Sequence, residues 1–265
     1  MLSTHVKAAW RSGWRSRSAR LLFILSLFVL LAAWVGGSFS PRQPQTVALD
    51  VGISLVRLLG TLLAIFWVQD LVGKDVERRS VLFILAYPHA RAYYLAGRYL
   101  GVMVLVAFAL ALMSIALLLF VKLVAPDYHQ MLPPVIGSGY VLTIALAWLD
   151  IAVVAAFALF VASVSTVPML PVFVGGAFAV SARTLGTAIE YVLASRPTEF
   201  TTTGPMLKVI TWILPDLDRL DIRQSVLYNS WPPSGEIAAS IVMALSYILV
   251  FYTLSVIVFS RREFT

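Results

Sequence analysis

Three ionisable side chains, Arg57, Asp150 and Arg183, lie near the middle of long apolar segments. A charge at the centre of a bilayer costs roughly 2.5–3.5 kcal/mol on insertion scales, so we expect all three to face the interior of a helix bundle and to pair. Asp150 can neutralise one arginine, which leaves the other for a second partner, a water-filled cavity or an anionic substrate. Three roles stay open: an ion pair that fixes helix packing, a polar translocation pathway, and a proton relay. Asp50 lies nearer the end of its segment and is expected to be hydrated.

No other set of residues predicts a catalytic, cofactor or metal site. The three histidines, at positions 5, 89 and 129, fall outside the apolar segments, and the chain contains no cysteine. A membrane-embedded serine protease needs a histidine on a second span, and a zinc protease needs H-E-x-x-H. A phosphate-binding loop needs G-x-x-x-x-G-K-[ST], whereas the only Gly-Lys pair, at 73–74, is followed by Asp75. We therefore expect no enzymatic activity, bound cofactor or metal in this chain.

The elements that must position the three charges are transmembrane helices. The chain is 60% hydrophobic and 12% charged, whereas a soluble domain is about a quarter charged. Its apolar runs reach roughly 20 residues, which is enough to cross a bilayer as helix. The first run is preceded by basic residues, as in a secretory signal, but no clear cleavage site follows it, and we interpret it as a retained span. We predict one all-α transmembrane domain over 1–265, with six spans at about 20–38, 47–72, 94–123, 139–164, 168–193 and 236–259.

The distribution of lysine and arginine predicts the orientation of these spans. Twelve basic residues lie before the first span, between the second and third, or after the sixth, and six lie in the other loops. Cytoplasmic loops carry an excess of lysine and arginine. Both termini and the loop between spans two and three are therefore expected in the cytoplasm, and the long stretch 194–235 outside it. The net charge of +7 is explained by this topology, so we expect no nucleic-acid partner.

The amino-terminal segment has the spacing of an interfacial helix. Trp10 and Trp14 repeat at helical spacing, with Arg11 and Arg15 on the adjacent stripe. Indole rings favour headgroup depth, and arginine favours anionic lipid. We predict a short amphipathic helix in contact with membrane lipid. The alternative is a simple basic anchor that follows the positive-inside rule.

A charged segment interrupted by proline lies between spans two and three; residues 77–101 read ERRSVLFILAYPHARAYYLAGRYLG. Residues 75–86 can form a short helix, and Pro88 bends the chain because it disfavours helix at the residue before it. A second helix begins near Arg91 and carries two glycines four residues apart, which permit close contact with another helix. The pattern predicts a helical elbow at the cytoplasmic surface. It is either a solvated turn or a docking element for a soluble partner.

This segment resembles the first cytoplasmic loop of ABC-2 type permeases, the membrane subunits of many bacterial ABC exporters. That loop has an acidic residue, Gly-Thr, a leucine-rich stretch, Pro, Arg, and Gly-Lys before the next span. The matching residues, without a gap, are Glu77, Ser80, Leu82, Leu85, Pro88, Arg91, Gly97, Arg98 and Gly101. Ser80 and Arg98 depart from the pattern but keep a hydroxyl and a charge, whereas Arg79 replaces a glycine and alters how the elbow meets its partner. The six spans, the cytoplasmic termini and the segment 212–223 are also similar to that family.

The resemblance implies a permease subunit of an ATP-driven exporter in the bacterial cytoplasmic (inner) membrane. Such a subunit works as a homodimer or heterodimer with two copies of a separate P-loop ATPase, which binds ATP and Mg. Residues 75–87 would form the coupling helix that docks on the ATPase. Residues 212–223 would belong to an external element that dips partway into the bilayer and contacts substrate or an extracytoplasmic partner. The residues implied in ATPase coupling are Asp75, Glu77, Arg78, Arg79, Ser80, Pro88, Arg91, Gly97 and Arg98.

Two other functions remain open at this point. A secondary transporter driven by an ion gradient would use the three midplane charges, although such folds often contain internal repeats and we find none here. A membrane scaffold would use the same docking elbow and transport nothing. A P-loop ATPase recovered with the protein would separate the permease from both alternatives.

Overall fold

The structure is a computed structural model that describes residues 18–40, 42–73, 91–123, 133–165, 167, 169–195 and 214–261. Two of the predicted elements lie outside these ranges. They are the coupling helix, at 75–87, and the interfacial helix with Trp10, Arg11, Trp14 and Arg15.

The described chain consists of helices and connecting turns. In chain order the helices are α1 (Ser18–Ser38), α2 (Pro44–Val68), α3 (Arg91–Leu123), α4 (Ser138–Val164), α5 (Leu170–Ser195), α6 (Arg223–Leu227) and α7 (Ser234–Arg261). A π-helical turn, Gln69–Gly73, continues α2, and a 3₁₀ turn, Leu217–Leu220, precedes α6. The six long helices lie at the positions of the six predicted spans.

Within the described ranges, five helices are long and apolar enough to cross a membrane: α2 with its π turn, α3, α4, α5 and α7. The apolar part of α1 whose side chains are described, Ile24–Ser38, is shorter than a full span. Helices satisfy their own backbone hydrogen bonds, which is what a chain must do to cross lipid. The prediction of an all-α chain with several helices able to cross a membrane is therefore confirmed, and these helices indicate a multi-pass membrane protein.

Helix α4 forms the centre of the bundle. It contacts α2, α3, α5 and α7, and its middle turns are buried on every side, from Ile151 to Ala156. Close approach of the neighbouring helices depends on small residues. At Gly60 of α2, an added Cβ would lie 2.8 Å from the Leu110 side chain of α3 and 2.9 Å from that of Ile151. A larger residue there would push α2 away from both helices.

The segment 214–227 folds back onto this bundle. Its 3₁₀ turn contacts α4, α5 and α7, and α6 contacts α2 and α4. Leu217, Leu220 and Val226 are buried, and the amide of Val135, just before α4, donates to the carbonyl of Val226 at 2.9 Å. The segment is therefore part of the packed structure, although it is too short to cross a membrane.

Candidate functional site

A largely buried charge cluster connects three of the helices that are long enough to cross a membrane to the segment 214–227. Its members on α2 are spaced i, i+4, i+7 and i+11, which puts them on one face of the helix. Helical periodicity alone thus brings several polar side chains to the same side of an apolar helix. The charge cluster consists of Asp50, Ser54, Arg57 and Thr61 of α2, Asp150 of α4, Arg183 of α5, and Asp221 and Arg223.

Asp150 is the acid that the helices share. It has 0% exposure, and its Oδ2 accepts hydrogen bonds from Arg57 Nε at 2.5 Å and Arg183 Nη2 at 2.8 Å. Its Oδ1 has no hydrogen-bond partner among the described residues. Attraction between opposite charges is strong in such a low-dielectric interior. The three charges singled out in the sequence are therefore brought together around one carboxylate.

Arg57 has a second acidic partner, which comes from outside the spans. Its Nη1 donates to Asp221 Oδ2 at 2.7 Å, and its Nη2 donates to the backbone carbonyl of Leu217 at 2.9 Å. One guanidinium thus bridges Asp150 of α4 and the segment 214–227. The sequence leaves open what balances the arginine that Asp150 cannot neutralise. In the structure a second carboxylate, that of Asp221, does so.

Arg183 is held by α2 as well as by α4. Its Nη2 donates to the hydroxyl of Thr61 at 2.7 Å, and that hydroxyl donates in turn to the carbonyl of Arg57 at 2.7 Å. A threonine hydroxyl can accept one bond and donate another at the same time. Thr61 therefore places Arg183 beside the backbone of α2, and α2, α4 and α5 meet at one point.

Arg223 extends the cluster toward the surface of the bundle. It forms an ion pair with Asp221, and its Nη1 donates to Ser54 Oγ at 2.6 Å and to Asp50 Oδ1 at 3.1 Å. The side chain of Asp50 is 47% exposed. Asp50 is thus accessible to solvent, as expected from its position, but it is also paired.

The formal charges within the cluster cancel: three arginines face three aspartates. Buried charges are tolerated when each has a partner and further hydrogen bonds satisfy its remaining atoms. Apart from Asp150 Oδ1, which has no partner among the described residues, this arrangement fits a structural ion network. Among the described residues there is also no group of three or more histidine, aspartate and glutamate side chains that could hold a metal ion.

The two charged groups of the 214–227 segment that belong to the cluster stay ionised at neutral pH. Burial alone would raise the pKa of Asp221, but the hydrogen bonds from Arg223 and the charge of Arg57 outweigh it and hold this pKa below its ordinary value. Burial alone would lower the pKa of Arg223, but its bonds to Asp221 and Asp50 outweigh it and raise this pKa. The pairing is thus stable across the physiological pH range.

The residues implied in ATPase coupling lie only in part within the described chain. Arg91 is the first residue of α3, and Gly97 is buried in that helix. The guanidinium carbon of Arg98 lies 5.4 Å from the centre of the Tyr94 ring, a distance typical of a cation–π contact. Tyr94 stacks on Phe259 of α7, with ring centres 6.0 Å apart. The remaining residues implied in coupling, Asp75, Glu77, Arg78, Arg79, Ser80 and Pro88, lie outside the described residues.

Four members of the charge cluster are not predicted from the sequence. For Ser54 and Thr61 a signal exists, because they continue a polar stripe with Asp50 and Arg57 through an otherwise apolar helix. For Asp221 and Arg223 no spacing rule points to α2, since the contacts join residues 164 and 173 positions apart.

Comparison with known proteins identifies no relative of this chain. No protein-family model matches the chain, and no curated protein is similar to it. The resemblance to ABC-2 permeases therefore rests on the residues from Glu77 to Gly101 and on the order of the apolar segments.

Proposed function

We propose that this chain is the membrane permease subunit of an ATP-driven exporter of the ABC-2 type, acting as a dimer with two separately encoded ATPase subunits. The observation that carries the proposal is the ordered residue set from Glu77 to Gly101. That set begins after α2 and its π turn and ends within α3, and both helices are long and apolar enough to cross a membrane. In this proposal the chain crosses the bacterial cytoplasmic membrane six times with both termini inside, and ATP hydrolysis belongs to the partner.

Helix α2 offers a route by which a cytoplasmic ATPase could act on the charge cluster. Its π turn ends at Gly73, where the proposed docking segment begins, and π turns often occur at functional sites. Arg57 lies about 24 Å further along the same helix. A displacement of the Gly73 end would therefore reach Arg57 and, through its ion pair, Asp221. We infer that ATP-driven closure of the two ATPases moves the elbows and that α2 passes this movement to the segment 214–227.

Affinity purification of the tagged protein from its native host in mild detergent tests the proposal. The proteins that accompany it are identified by mass spectrometry. We expect a P-loop ATPase in stoichiometric amount, and we expect it to be lost when Glu77 and Arg79 are both changed to alanine.

A matched control makes the same pair of substitutions on the opposite side of the membrane. Glu236 and the side chain of Arg219 are exposed, so Glu236→Ala with Arg219→Ala should leave the ATPase bound. If a folded, intact preparation of the unmodified protein brings no ATPase with it, the proposal is wrong.

The absence of cysteine allows a direct test of the proposed orientation. Ser230 and Ser260 are exposed and lie near opposite ends of α7, and each can be changed to cysteine with little change in size. A membrane-impermeant thiol reagent should label Ser230→Cys in intact cells and Ser260→Cys only after permeabilisation. The reverse pattern would contradict the orientation, and labelling of both in intact cells would contradict it too.

A gradient-driven transporter is the second candidate, and one observation favours it. Asp150 is a buried acid with an oxygen that has no partner among the described residues, and buried acids in membranes often relay protons or bind ions. This candidate needs no ATPase, so it gains weight if the purification recovers none.

A further inference from the structure

A narrow groove opens between α3 and α4 on the outside of the bundle. It has a volume of about 420 Å³. Its lining includes three exposed alanines, Ala107 and Ala111 on one face of α3 and Ala145 on α4. Ile115 and Val141 also line it and are exposed, at 58% and 68%. Small residues facing each other on two helices, with larger ones beside them, thus create a channel along the surface.

The groove has apolar walls because its polar side chains bond to the protein. The Tyr140 hydroxyl donates to the carbonyl of Ser114 at 2.9 Å, and the Trp148 indole donates to the carbonyl of Met103 at 3.0 Å. The Ser114 hydroxyl donates to the carbonyl of Ala111 at 3.1 Å. Only rings, methyl groups and methylene groups are left to line the groove, so a polar ligand would lose its hydration there without compensation.

The length of the groove matches one leaflet of a bilayer. Its lining residues run from Ala107 to Leu118 on α3 and from Tyr140 to Trp148 on α4, spans of eleven and eight residues that correspond to about 12–17 Å of helix. Half of a bilayer's hydrocarbon core is about 15 Å thick. One end of the groove, at Tyr140, lies near the start of α4, and the other, at Trp148, lies two residues from Asp150. The groove therefore runs from one membrane surface toward the middle.

The volume of the groove fits one hydrocarbon chain. A methylene group occupies about the same volume as a water molecule in the liquid, roughly 30 Å³, so the groove holds about fourteen such groups. Its volume divided by its length gives a cross-section of about 30 Å². A helix with side chains is at least about 10 Å wide, which corresponds to nearly 80 Å². The groove is therefore too narrow to enclose a whole helix of a second copy of this chain, whereas it can enclose one hydrocarbon chain.

We propose that the groove between α3 and α4 is a binding site for one acyl chain of a membrane phospholipid, in the leaflet at the Ser138 end of α4. The site holds an individual lipid for longer than the other exposed faces do. This inference does not depend on the proposed transport function.

The test uses the full chain in nanodiscs that contain a phospholipid with a photoreactive diazirine in its acyl chain. Cross-linked residues are identified by mass spectrometry. The reference surface is α7, where Val242 and Leu245 are 63% and 53% exposed and belong to the half of the helix near Ser234. We expect cross-links at Ala111, Ile115 and Val141 to exceed those on α7 several-fold.

A matched pair of variants locates the site. Ala111→Phe fills the groove, and Ala239→Phe makes the same change at an exposed alanine of α7. The first should reduce cross-linking in the groove to the level of α7, and the second should leave the excess unchanged. Ala145→Phe fills the groove from the other helix and should act as Ala111→Phe does.

Two results would overturn the proposal. Equal cross-linking in the groove and on α7 in the unmodified protein would show bulk lipid only. Weaker cross-linking in the groove than on α7, caused by a second copy of the chain that covers the groove, would show that the groove is a protein interface. Because the comparison between groove and α7 needs no variant, it decides the question even if a filled-groove variant fails to fold.

Discussion

The two halves of the helix bundle are held together by different chemistry. In one half, the charge cluster joins α2, α4 and α5 to the segment 214–227 through arginine–aspartate pairs. In the other half, aromatic rings join α4, α5 and α7: the Phe178 ring lies 4.1 Å from that of Phe157 and 5.6 Å from that of Phe251. Asp150 and Phe157 are two turns apart on α4, so one helix takes part in both.

The difference shows what each kind of contact requires. Aromatic and aliphatic side chains pack in several arrangements, so an apolar contact tolerates a substitution of similar size. A buried ion pair needs each charge to keep its partner, because an uncompensated charge in a dry interior is costly. The half held by the charge cluster (the charge half) should therefore be destabilised by small chemical changes. The half held by the aromatic rings (the aromatic half) should tolerate substitutions of similar size.

The largest effect is expected for Asp150→Asn. This change keeps the size of the side chain but removes the one salt-bridge partner that Arg183 has among the described residues and leaves Arg57 with one acid fewer. Breaking a buried pair in this way costs about 3–5 kcal/mol, so we expect loss of most folded protein in a thermal stability assay in detergent. Asp218→Asn makes the same chemical change at a partly exposed position and should shift stability by less than about 0.5 kcal/mol. Equal behaviour of the two variants would contradict the account.

A second substitution should partly repair Asp150→Asn, but only at the correct arginine. Arg57 keeps Asp221 as an acidic partner when Asp150 is replaced, whereas among the described residues Arg183 keeps only neutral hydrogen-bond acceptors, such as the Thr61 hydroxyl. Adding Arg183→Met should therefore recover about 1–3 kcal/mol, and adding Arg57→Met should recover less. The same stability assay, run on both double variants, checks the order. If Arg57→Met recovered more stability than Arg183→Met, Asp150 would be shown to pair mainly with Arg57.

The ion pair of Asp221 should show itself in the pH dependence of stability. Asp221→Asn removes charged hydrogen bonds to Arg57 and Arg223, and we expect a loss of about 2–3 kcal/mol at pH 7. Because the pKa of Asp221 is lowered in the folded protein, its contribution is complete above the ordinary value of about 3.9 and is lost as pH falls through the lower, folded-state pKa. The gap between the unmodified protein and the variant should therefore stay constant from pH 7 to about pH 5 and narrow only below about pH 4. A gap that closes near pH 6 would be inconsistent with a lowered pKa.

The smallest effect is expected in the aromatic half. Phe178 is buried between Phe157 and Phe251, and Phe178→Leu keeps an apolar side chain in that place at a cost of about 1–2 kcal/mol. Thermal unfolding in the same detergent measures it beside Asp150→Asn. If Phe178→Leu costs as much as Asp150→Asn, the contrast between the two halves does not hold.

Much of the fold follows from the sequence because lipid imposes simple rules. Apolar runs of sufficient length must be helical in a bilayer, and the six predicted spans lie where the six long helices lie. The meeting of Arg57, Asp150 and Arg183 follows from the cost of an unpaired charge at that depth. These inferences need only the position of each residue along its own helix.

The rest of the charge cluster depends on the path of the segment 214–227, which no local rule predicts. Leu217 and Leu220 are buried against the bundle and thereby bring Asp221 to Arg57, but hydropathy alone places this polar stretch in a loop. The same holds for Asp50. Its position near a helix end indicates that it is exposed, but its hydrogen bond to Arg223 depends on the path of the segment 214–227. Contacts between distant parts of the chain are thus the part of the site that local sequence patterns do not predict.

Arg57 holds the segment 214–227 on the bundle through Asp221, and a double-mutant cycle measures that contact most directly. The cycle compares the unfolding free energies of the unmodified protein, Arg57→Met, Asp221→Asn and the double variant. We expect a coupling energy of about 1–3 kcal/mol, because residues in one buried salt-bridge network are not independent. If the two single effects add to within about 0.5 kcal/mol, the residues do not interact and the claim is wrong.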